Sequence, residues 1–172
     1  MPRVRSFPPV ADARARVLVL GSMPGEASLR AGQYYAHRQN HFWRILGELA
    51  GAGPALAYEA RLRRLKRSRI ALWDVLRSCR RESSLDSAIE RNSAQPNDFA
   101  AFFASHPRLT HVLFNGAAAE TFFHRHMCAT LPTRLIYYER LPSTSPAHAG
   151  MPFAEKLKRW RTALERGLNG KS

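Results

Sequence analysis

Residues 16–25 read RVLVLGSMPG, a run of branched apolar residues that ends at a turn rich in glycine and proline. Such a run predicts a buried strand, Arg16–Leu20, followed by a tight loop. Similar apolar runs recur at Arg69–Leu76, Thr110–Asn115 and Arg134–Tyr138. The sequence therefore predicts four strands.

Helical patterns lie between and after these strands. Strands that alternate with helices indicate parallel βαβ units with right-handed crossovers and helices on both faces of the sheet. No internal repeat, low-complexity tract or long linker interrupts the pattern, so we expect one domain over residues 1–172 with a core of about 14–168. The expected helices are Asn40–Ala50, Tyr58–Lys66, Asn97–Ser105, Gly116–Met127 and Pro152–Leu168.

The charge balance is strongly basic. The 172 residues include 27 Lys and Arg against 13 Asp and Glu, which gives a net charge of +14. A field of this sign attracts polyanions, so nucleic acid is the favoured partner and an acidic membrane surface the lesser one. A generally basic proteome would also explain the charge.

The cysteines and the start of the chain exclude several classes. Cys79 and Cys128 lack metal-knuckle spacing and do not form a disulfide framework. The start has no apolar signal region, and no stretch approaches the roughly 20 apolar residues that span a bilayer. We expect a cytoplasmic protein that is neither exported nor embedded in a membrane.

Polar and conformationally special residues follow each predicted strand, at 21–40, 74–84, 115 onward and 141–152. Ligands of open α/β sheets bind at this carboxyl edge. Gly21 and Gly25 permit close backbone approach, and neighbouring N–H groups there could hold a water or an anion. The loop lacks the dinucleotide and P-loop fingerprints.

Aromatic residues are dense just after this loop, where Tyr34 and Tyr35 precede Asn40, Phe42 and Trp43. Such rings can stack on an extruded base, at about 1 to 3 kcal/mol per base. Helical spacing favours core packing for Phe42 and Trp43. Tyr35 and Asn40 precede that helix, so we favour a functional role for them.

Four motifs in order, GSMPG…YYAHRQNHFW, LWDVLRSC…SLDSAI, VLFNG and LPSTSPA, resemble the uracil-DNA glycosylase superfamily. The branch they resemble most is the hypoxanthine-DNA (deoxyinosine) glycosylases, known as family 6. The motifs span residues 21–152. This resemblance implies a three-layer α/β/α sandwich around a four-stranded parallel sheet. It also implies a monofunctional base-excision enzyme without a metal or organic cofactor.

The resemblance also implies roles for single positions. Gly21, Ser22, Met23, Pro24 and Gly25 match the water-holding loop beneath the scissile bond. Better-known branches carry Asp, Asn or Glu there, whereas this sequence does not. The hypoxanthine branch shares that lack and is credited with catalysis by the Asn before the Phe-Trp pair, here Asn40. Tyr35 matches the aromatic that stacks on the base, and Asp74 matches the site where uracil-specific members present an Asn to the base edge.

The chemistry of N-glycosidic cleavage explains why polar residues are needed at these positions. A polar group must orient water under C1′, and donors must stabilise charge on the leaving base. The Asn40 amide oxygen could accept from the water, with Glu26 as an alternative base or simply a first-turn helix acid. An ionised Asp74 could accept the N1–H of hypoxanthine and repel the unprotonated N1 of adenine; capping a strand end or pairing with Arg77 or Arg80 are its alternatives.

The remaining polar residues are predicted to meet the base edge or DNA. Asn115 could read a base edge or cap the next helix. The loop at LPSTSPA resembles the superfamily's wedge, with phosphate donors in Ser143, Thr144 and Ser145 and with Pro146 as a stiffener. Ser143 stands where uracil-specific relatives have His or Asn, which argues against strong uracil excision. Further DNA contacts are expected from Arg77, Arg80, Arg81 and His148.

The sequence thus predicts a DNA glycosylase that flips deoxyinosine and hydrolyses its N-glycosidic bond, acting as a monomer on DNA. Mismatch uracil or thymine excision is the alternative within the fold, and a non-catalytic DNA-binding module is the alternative outside enzymes. His124 and His126 lack a companion ligand pair, so no metal site is expected.

Overall fold

The computed structural model describes residues 2–127 and 132–170. In chain order the strands are β1 (Arg3–Arg5), β2 (Val17–Gly21), β3 (Ile70–Asp74), β4 (Leu76–Arg80), β5 (Gln95–Pro96), β6 (His111–Asn115) and β7 (Tyr137–Leu141). The helices are α1 (Glu26–Ala31), α2 (Phe42–Ala50), α3 (Tyr58–Arg67), α4 (Phe99–Ser105), α5 (Ala117–Met127) and α6 (Phe153–Leu168). Two short 3₁₀ turns, Asp86–Ala88 and Arg91–Ser93, follow β4.

Four strands form a parallel sheet in the order β3-β2-β6-β7, as the alternating pattern predicted. The register aligns their carboxyl ends: Gly21 pairs with Asp74, and Asn115 pairs with Leu141. Leu20 pairs with Phe114, so the ends of β2 and β6 are also level. The segments that follow these strands therefore meet at one edge.

Each face of the sheet packs against helices, because both sides of these strands are apolar. On one face Leu20 and Phe114 pack with the aromatic residues of α4 and α5. On the other face Val17 and Val19 pack with α2 and α6, where Trp160 is fully buried. The result is the predicted three-layer α/β/α sandwich.

The apolar run Arg69–Leu76 is two strands rather than the predicted one. β3 ends at Asp74, and the chain turns at Val75, whose N–H donates to the Gly21 carbonyl. β4 then pairs antiparallel with β1 and β5 in a second, three-stranded sheet. The sequence did not predict this turn, because Val75 and Leu76 are apolar and buried and no Gly or Pro separates the two strands.

The last parallel strand, β7, begins at Tyr137, three residues after the predicted start. Arg134 instead donates to the carbonyls of Phe103, His106 and Leu109. Leu135, in the same apolar run, is exposed. The apolar composition of this segment therefore led to a predicted strand start that is three residues too early.

No helix in the described part of the chain is long and apolar enough to cross a membrane. Cys79 is buried and has a free thiol. Cys128 lies outside the described residues.

Candidate active site

A pocket of about 150 Å³ opens at the carboxyl edge of the parallel sheet. The segments after β2, β3, β6 and β7 form its walls. Every residue predicted for catalysis or for the base pocket lines it. The lining residues are Gly21, Ser22, Met23, Pro24, Gly25, Glu26, Ala27, Ser28, Tyr34, Tyr35, His37, Asn40, Asp74, Ser84, Asp86, Asn115, Ser143, Thr144, Ser145 and Pro146.

Gly21 sets the distance between the two deepest polar groups of the pocket. A Cβ atom at this position would lie 2.5 Å from Asp74 Oδ1 and 2.8 Å from the Tyr35 hydroxyl. Real Cβ atoms do not approach other atoms this closely, so only glycine fits. The missing side chain allows the carboxyl and the phenol to meet over the backbone of β2.

Tyr35 presents a partly exposed ring and a buried hydroxyl to the pocket. Its ring stacks on Phe42, with 4.1 Å between centroids and 27° between planes. Its hydroxyl lies beside the Asn115 amide but has no hydrogen-bond partner of normal geometry in the described structure. Burial and the nearby Asp74 raise the pKa of this phenol, so it stays protonated.

The backbone at Tyr35 is strained, with φ at 53°, and its neighbours hold it in place. The Tyr34 N–H donates to the Tyr58 hydroxyl at 3.0 Å, and the Tyr34 carbonyl accepts from Trp43 Nε1 at 2.8 Å. The Tyr34 hydroxyl donates to the Pro8 carbonyl. Tyr34 is therefore an anchor that fixes the orientation of Tyr35.

Asp74 is buried, with 3% of its surface exposed, and it lacks the partners that usually accompany a buried carboxylate. Its Oδ2 atom has no hydrogen-bond partner among residues 2–127 and 132–170. Burial and the nearby Asp86 raise its pKa to about 7, and the Arg81 guanidinium opposes that rise. At a pKa near 7 both the neutral and the ionised form are present at neutral pH, whereas the sequence prediction considered the ionised form alone.

Asp86 is a site residue that sequence reasoning missed. It opens the first 3₁₀ turn, and its carboxylate accepts a short hydrogen bond from the Ser22 hydroxyl. Burial raises its pKa, while the Ser22 hydrogen bond and Arg81 lower it. The available signal was its place in SLDSAI, a segment that carried the resemblance without receiving a role.

The sequence predicted that Arg81 contacts a phosphate. In the structure Arg81 is buried, with 4% of its surface exposed. Its Nη2 donates to the Pro24 carbonyl, and its Nη1 has no partner in the described part of the chain. The guanidinium therefore supports the Gly21–Gly25 loop from below. Its charge acts on Asp74 and Asp86 without an ion pair to either.

Asn40 lies at the start of α2, and its amide oxygen accepts from the Phe42 N–H at 2.9 Å. A backbone donor requires an oxygen acceptor, so this contact fixes which amide atom faces which way. The sequence analysis predicted that this oxygen accepts from the attacking water. In the structure, the Nδ2 donor and the second oxygen lone pair are the groups left for the pocket.

Asn115 and Thr144 bind each other rather than a ligand. Asn115 Nδ2 donates to Thr144 Oγ1, and the Thr144 N–H donates to Asn115 Oδ1, both at 2.9 Å. The Thr144 carbonyl accepts from the His41 N–H, and Thr144 is fully buried. The predicted phosphate contact of Thr144 is therefore wrong, and one donor and one acceptor of the Asn115 amide are used by the loop.

The predicted wedge loop is exposed from Ala147 to Gly150 and is held at its start and at His148. Ser143 and Ser145 form local turns, since their hydroxyls accept from the N–H groups of Ser145 and Ala147. Beyond them, the His148 carbonyl accepts from Lys156 Nζ at 2.7 Å. Lys156 is only 1% exposed, and burial lowers its pKa.

Three further predicted residues lie outside the pocket or at its rim. Arg77 and Arg80 are exposed on β4 and do not line the pocket, so their contacts with DNA stay a prediction. Glu26 is an exposed rim residue in the first turn of α1. Within residues 2–127 and 132–170, no three His, Cys, Asp or Glu side chains form a group that could hold a metal ion.

The uracil DNA glycosylase superfamily is the family whose model matches this sequence, over residues 8–166. The chain belongs to this superfamily. A hypoxanthine DNA glycosylase of Methanosarcina barkeri is 42% identical over 113 residues, which cover 65% of this chain and 70% of that protein. A protein of the same name from Methanosarcina acetivorans is 41% identical over 116 residues, which cover 67% and 72%.

Solved structures agree with this placement. A solution NMR structure from Methanosarcina acetivorans, of a protein provisionally described as a uracil DNA glycosylase, superposes with a TM-score of 0.78 at 34% identity. The match covers 98% of this glycosylase and 99% of that chain. The family and these relatives identify the chain as a DNA glycosylase.

Proposed function

We propose that this glycosylase extrudes deoxyinosine from DNA and hydrolyses its N-glycosidic bond, releasing hypoxanthine and leaving an abasic site. The observation that carries the proposal is the Oδ2 atom of Asp74, buried without a hydrogen-bond partner in the described residues and lining a small pocket with Tyr35. A buried polar group without a partner is unfavourable until a ligand satisfies it. The names of the two Methanosarcina relatives support the same base.

The pocket suits a flat heterocycle. Tyr35 is backed by Phe42 and offers a rigid ring for stacking, since its backbone is anchored through Tyr34. Hypoxanthine carries an N1–H donor beside its O6 acceptor, and Asp74 is the side chain that meets this edge. Binding the base against rigid groups reduces the ordering needed in the transition state.

Asn40 supplies the group that orients the attacking water. The C1′–N9 bond breaks with its electron pair on the base, and water adds its oxygen to C1′ while its proton passes to solvent or to the departing base. The Asn40 amide keeps a donor and a lone pair for that water, and its link to the Phe42 N–H prevents rotation. Asp86 also lines the pocket, where its carboxylate accepts from the Ser22 hydroxyl.

The loop at residues 145–151 is proposed to replace the extruded nucleotide in the duplex. Its residues 147–150 are exposed, the preceding Thr144 is buried, and the Lys156–His148 contact holds the middle of the loop. The net charge of +14 supplies the attraction to phosphates that brings the loop to DNA. Extrusion is easiest at a mispaired base, which favours deaminated sites over normal pairs.

A single-turnover assay on matched duplexes tests the proposal. The duplexes carry one inosine, uracil, xanthine or mispaired thymine at the same position. We expect inosine to be cleaved fastest, with alkali-sensitive abasic product and no strand cleavage by the enzyme alone. Faster release of uracil or thymine would replace hypoxanthine as the substrate, and specific binding without release of any base would indicate a non-catalytic module.

A further inference from the structure

Asp74 is buried with no hydrogen-bond partner for Oδ2 in the described residues, and burial and Asp86 disfavour its charged form while Arg81 favours it. The phenols of Tyr34, Tyr35 and Tyr58 face it from the α1–α2 connection and from α3. Asp86 faces it from the 3₁₀ turn, and Arg81 is the cation near it. Arg81 donates to the Pro24 carbonyl and forms no ion pair with Asp74. The carboxyl is therefore buried without a counter-ion in contact.

The protonation state of this carboxyl decides which base edge it can meet. A carboxylate has only acceptors, so one oxygen can take N1–H while the other faces the lone pairs of O6. A neutral carboxyl has an O–H donor beside a C=O acceptor. That pair matches the N–H beside C=O edge that deamination creates in hypoxanthine, and both hydrogen bonds form at once.

We propose that Asp74 works as a neutral acid, which accepts from N1–H through its carbonyl oxygen and donates its O–H to O6 of the extruded base. The proposal rests on the proposed function and specifies how the site reads the lactam edge. As the C1′–N9 bond breaks, its electron pair spreads over the base, and the O–H donor stabilises the charge that reaches O6. An ionised Asp74 would instead repel the departing anion.

The pKa of Asp74, near 7 in the free enzyme, then sets a limit on the rate. With enzyme below saturation, the excision rate reports the free enzyme. We expect the wild-type rate on inosine duplexes to be level from pH 5.5 to about 6.5 and to approach a tenfold fall per pH unit above pH 7. A rate that rises from pH 6 to pH 8 would show that the carboxylate is the working form and would overturn the proposal.

Asp74→Asn is the matched variant, because an amide keeps one acceptor and one donor but does not titrate. We expect its rate to lie within about tenfold of the wild-type plateau and to stay level through pH 8. Titration of the base, of DNA and of other side chains affects both proteins equally. A fall in Asp74→Asn parallel to that of the wild type would therefore assign the pH dependence elsewhere and overturn the proposal.

Two measurements keep the test decisive if the variant is unstable or if inosine is not cleaved. The carbon-13 shift of the Asp74 carboxyl in the wild-type protein should titrate near pH 7, and a midpoint below pH 5 would contradict a neutral acid. Free hypoxanthine should bind more tightly at pH 6 than at pH 8, because only the neutral acid donates to O6. Absence of inosine cleavage at every pH would refute the proposed function, while these two readouts would still judge Asp74.

Discussion

The two sides of the pocket differ in how their polar groups are satisfied. On the β6–β7 side, Asn115 and Thr144 use their side chains on each other, and Lys156 holds the His148 carbonyl. On the β2–β3 side, Asp74 Oδ2 and the Tyr35 hydroxyl are buried without partners in the described structure. The first side is complete without a ligand, and the second is not.

This difference separates scaffold from recognition within one pocket. Buried polar groups are normally paired, so the residues that break the rule are the ones expected to meet a substrate. Asn115 and Asp74 both follow the ends of parallel strands, and sequence alone treats them alike. The hydrogen bonds of Asn115 favour a scaffold role for it, and the unpartnered Asp74 Oδ2 favours contact with the base.

Asn40 contributes both to the scaffold, through its contact with the Phe42 N–H, and to the proposed chemistry. Its substitution should therefore have the largest effect on the excision rate. Asn40→Ala removes both the water-orienting amide and the acceptor for the Phe42 N–H. We expect the single-turnover excision rate on inosine duplexes to fall by about 10²- to 10³-fold, the scale of one lost preorganised polar group. Loss of the hydrogen bond to the Phe42 N–H should lower the free energy of unfolding by about 1 kcal/mol.

Asn40→Ser separates these two contributions. A serine hydroxyl can still accept from the helix N–H but offers no amide, so stability should recover while the rate stays low. Lesion binding, measured by fluorescence anisotropy, should persist in both variants. Near wild-type chemistry in Asn40→Ala, together with inactive Glu26→Gln or Asp86→Asn, would move the water-orienting role to a carboxylate.

Gly21→Ala tests whether the incomplete side depends on the close approach over β2. The added methyl would clash with Asp74 Oδ1 and with the Tyr35 hydroxyl, so both groups must move. We expect about a 10²-fold loss of excision rate, because small misplacements in a rigid site cost that much. At Gly25 the new atom would meet Ser84 at 3.4 Å, an ordinary contact, so Gly25→Ala should cost less than about tenfold. Equal losses would show that the spacing at Gly21 is not what matters.

The sequence could predict the parts of this architecture that depend on periodicity and chain order. Alternating strands and helices indicated the parallel sheet, and its carboxyl edge located the pocket and the residues predicted for catalysis and for the base pocket. The turn at Val75 was not predicted, because the apolar residues Val75 and Leu76 follow Asp74 without a Gly or Pro. The sequence did not predict the hydrogen bonds of Asp86, Arg81 and Thr144 for a different reason. Their partners lie 29 to 64 positions away along the chain.

Stability measured against pH should reveal the unpaired carboxyl directly. Folding raises the pKa of Asp74 from 3.8 to about 7, so its ionisation opposes folding. The resulting penalty is absent below pH 3.8, grows as pH rises and is complete above pH 7, where it is about 4 kcal/mol. Asp74→Asn cannot ionise, so its stability relative to wild type should improve by about 3 kcal/mol between pH 5 and pH 8 in urea unfolding. A constant difference across that range would mean that Asp74 is not destabilised by its charge.

On the β6–β7 side of the pocket, substitutions should change the free energy of unfolding by the same amount at every pH. Asn115→Ala leaves the buried Thr144 N–H and hydroxyl without their partner, and each such group costs about 1 to 3 kcal/mol. We expect the free energy of unfolding to drop by about 2 kcal/mol equally at pH 5 and pH 8. Thr144→Ser keeps both contacts and should change stability by less than about 1 kcal/mol. Unchanged stability of Asn115→Ala would show that its amide is free for the base.

The smallest effect is expected outside the pocket, on the strand that supports its incomplete side. β4 joins the Gly21–Gly25 loop at both ends, because the Leu76 N–H donates to the Ser22 carbonyl and Arg81, just after the strand, donates to Pro24. Arg77 and Arg80 are exposed on this strand, where phosphates beside an extruded nucleotide would pass.

Arg77→Gln or Arg80→Gln should each reduce the slope of log affinity against log salt by about one, and should weaken binding only a few-fold at low salt. Arg67→Gln is the matched control, because Arg67 ends α3 just before β3 begins and therefore lies at the opposite edge of the sheet. The excision rate at saturating enzyme should be unaffected in all three variants, since a phosphate contact contributes to binding and not to bond cleavage. An equal loss of slope in Arg67→Gln would mean that the charge of +14 attracts DNA as a diffuse field, with no contact specific to β4.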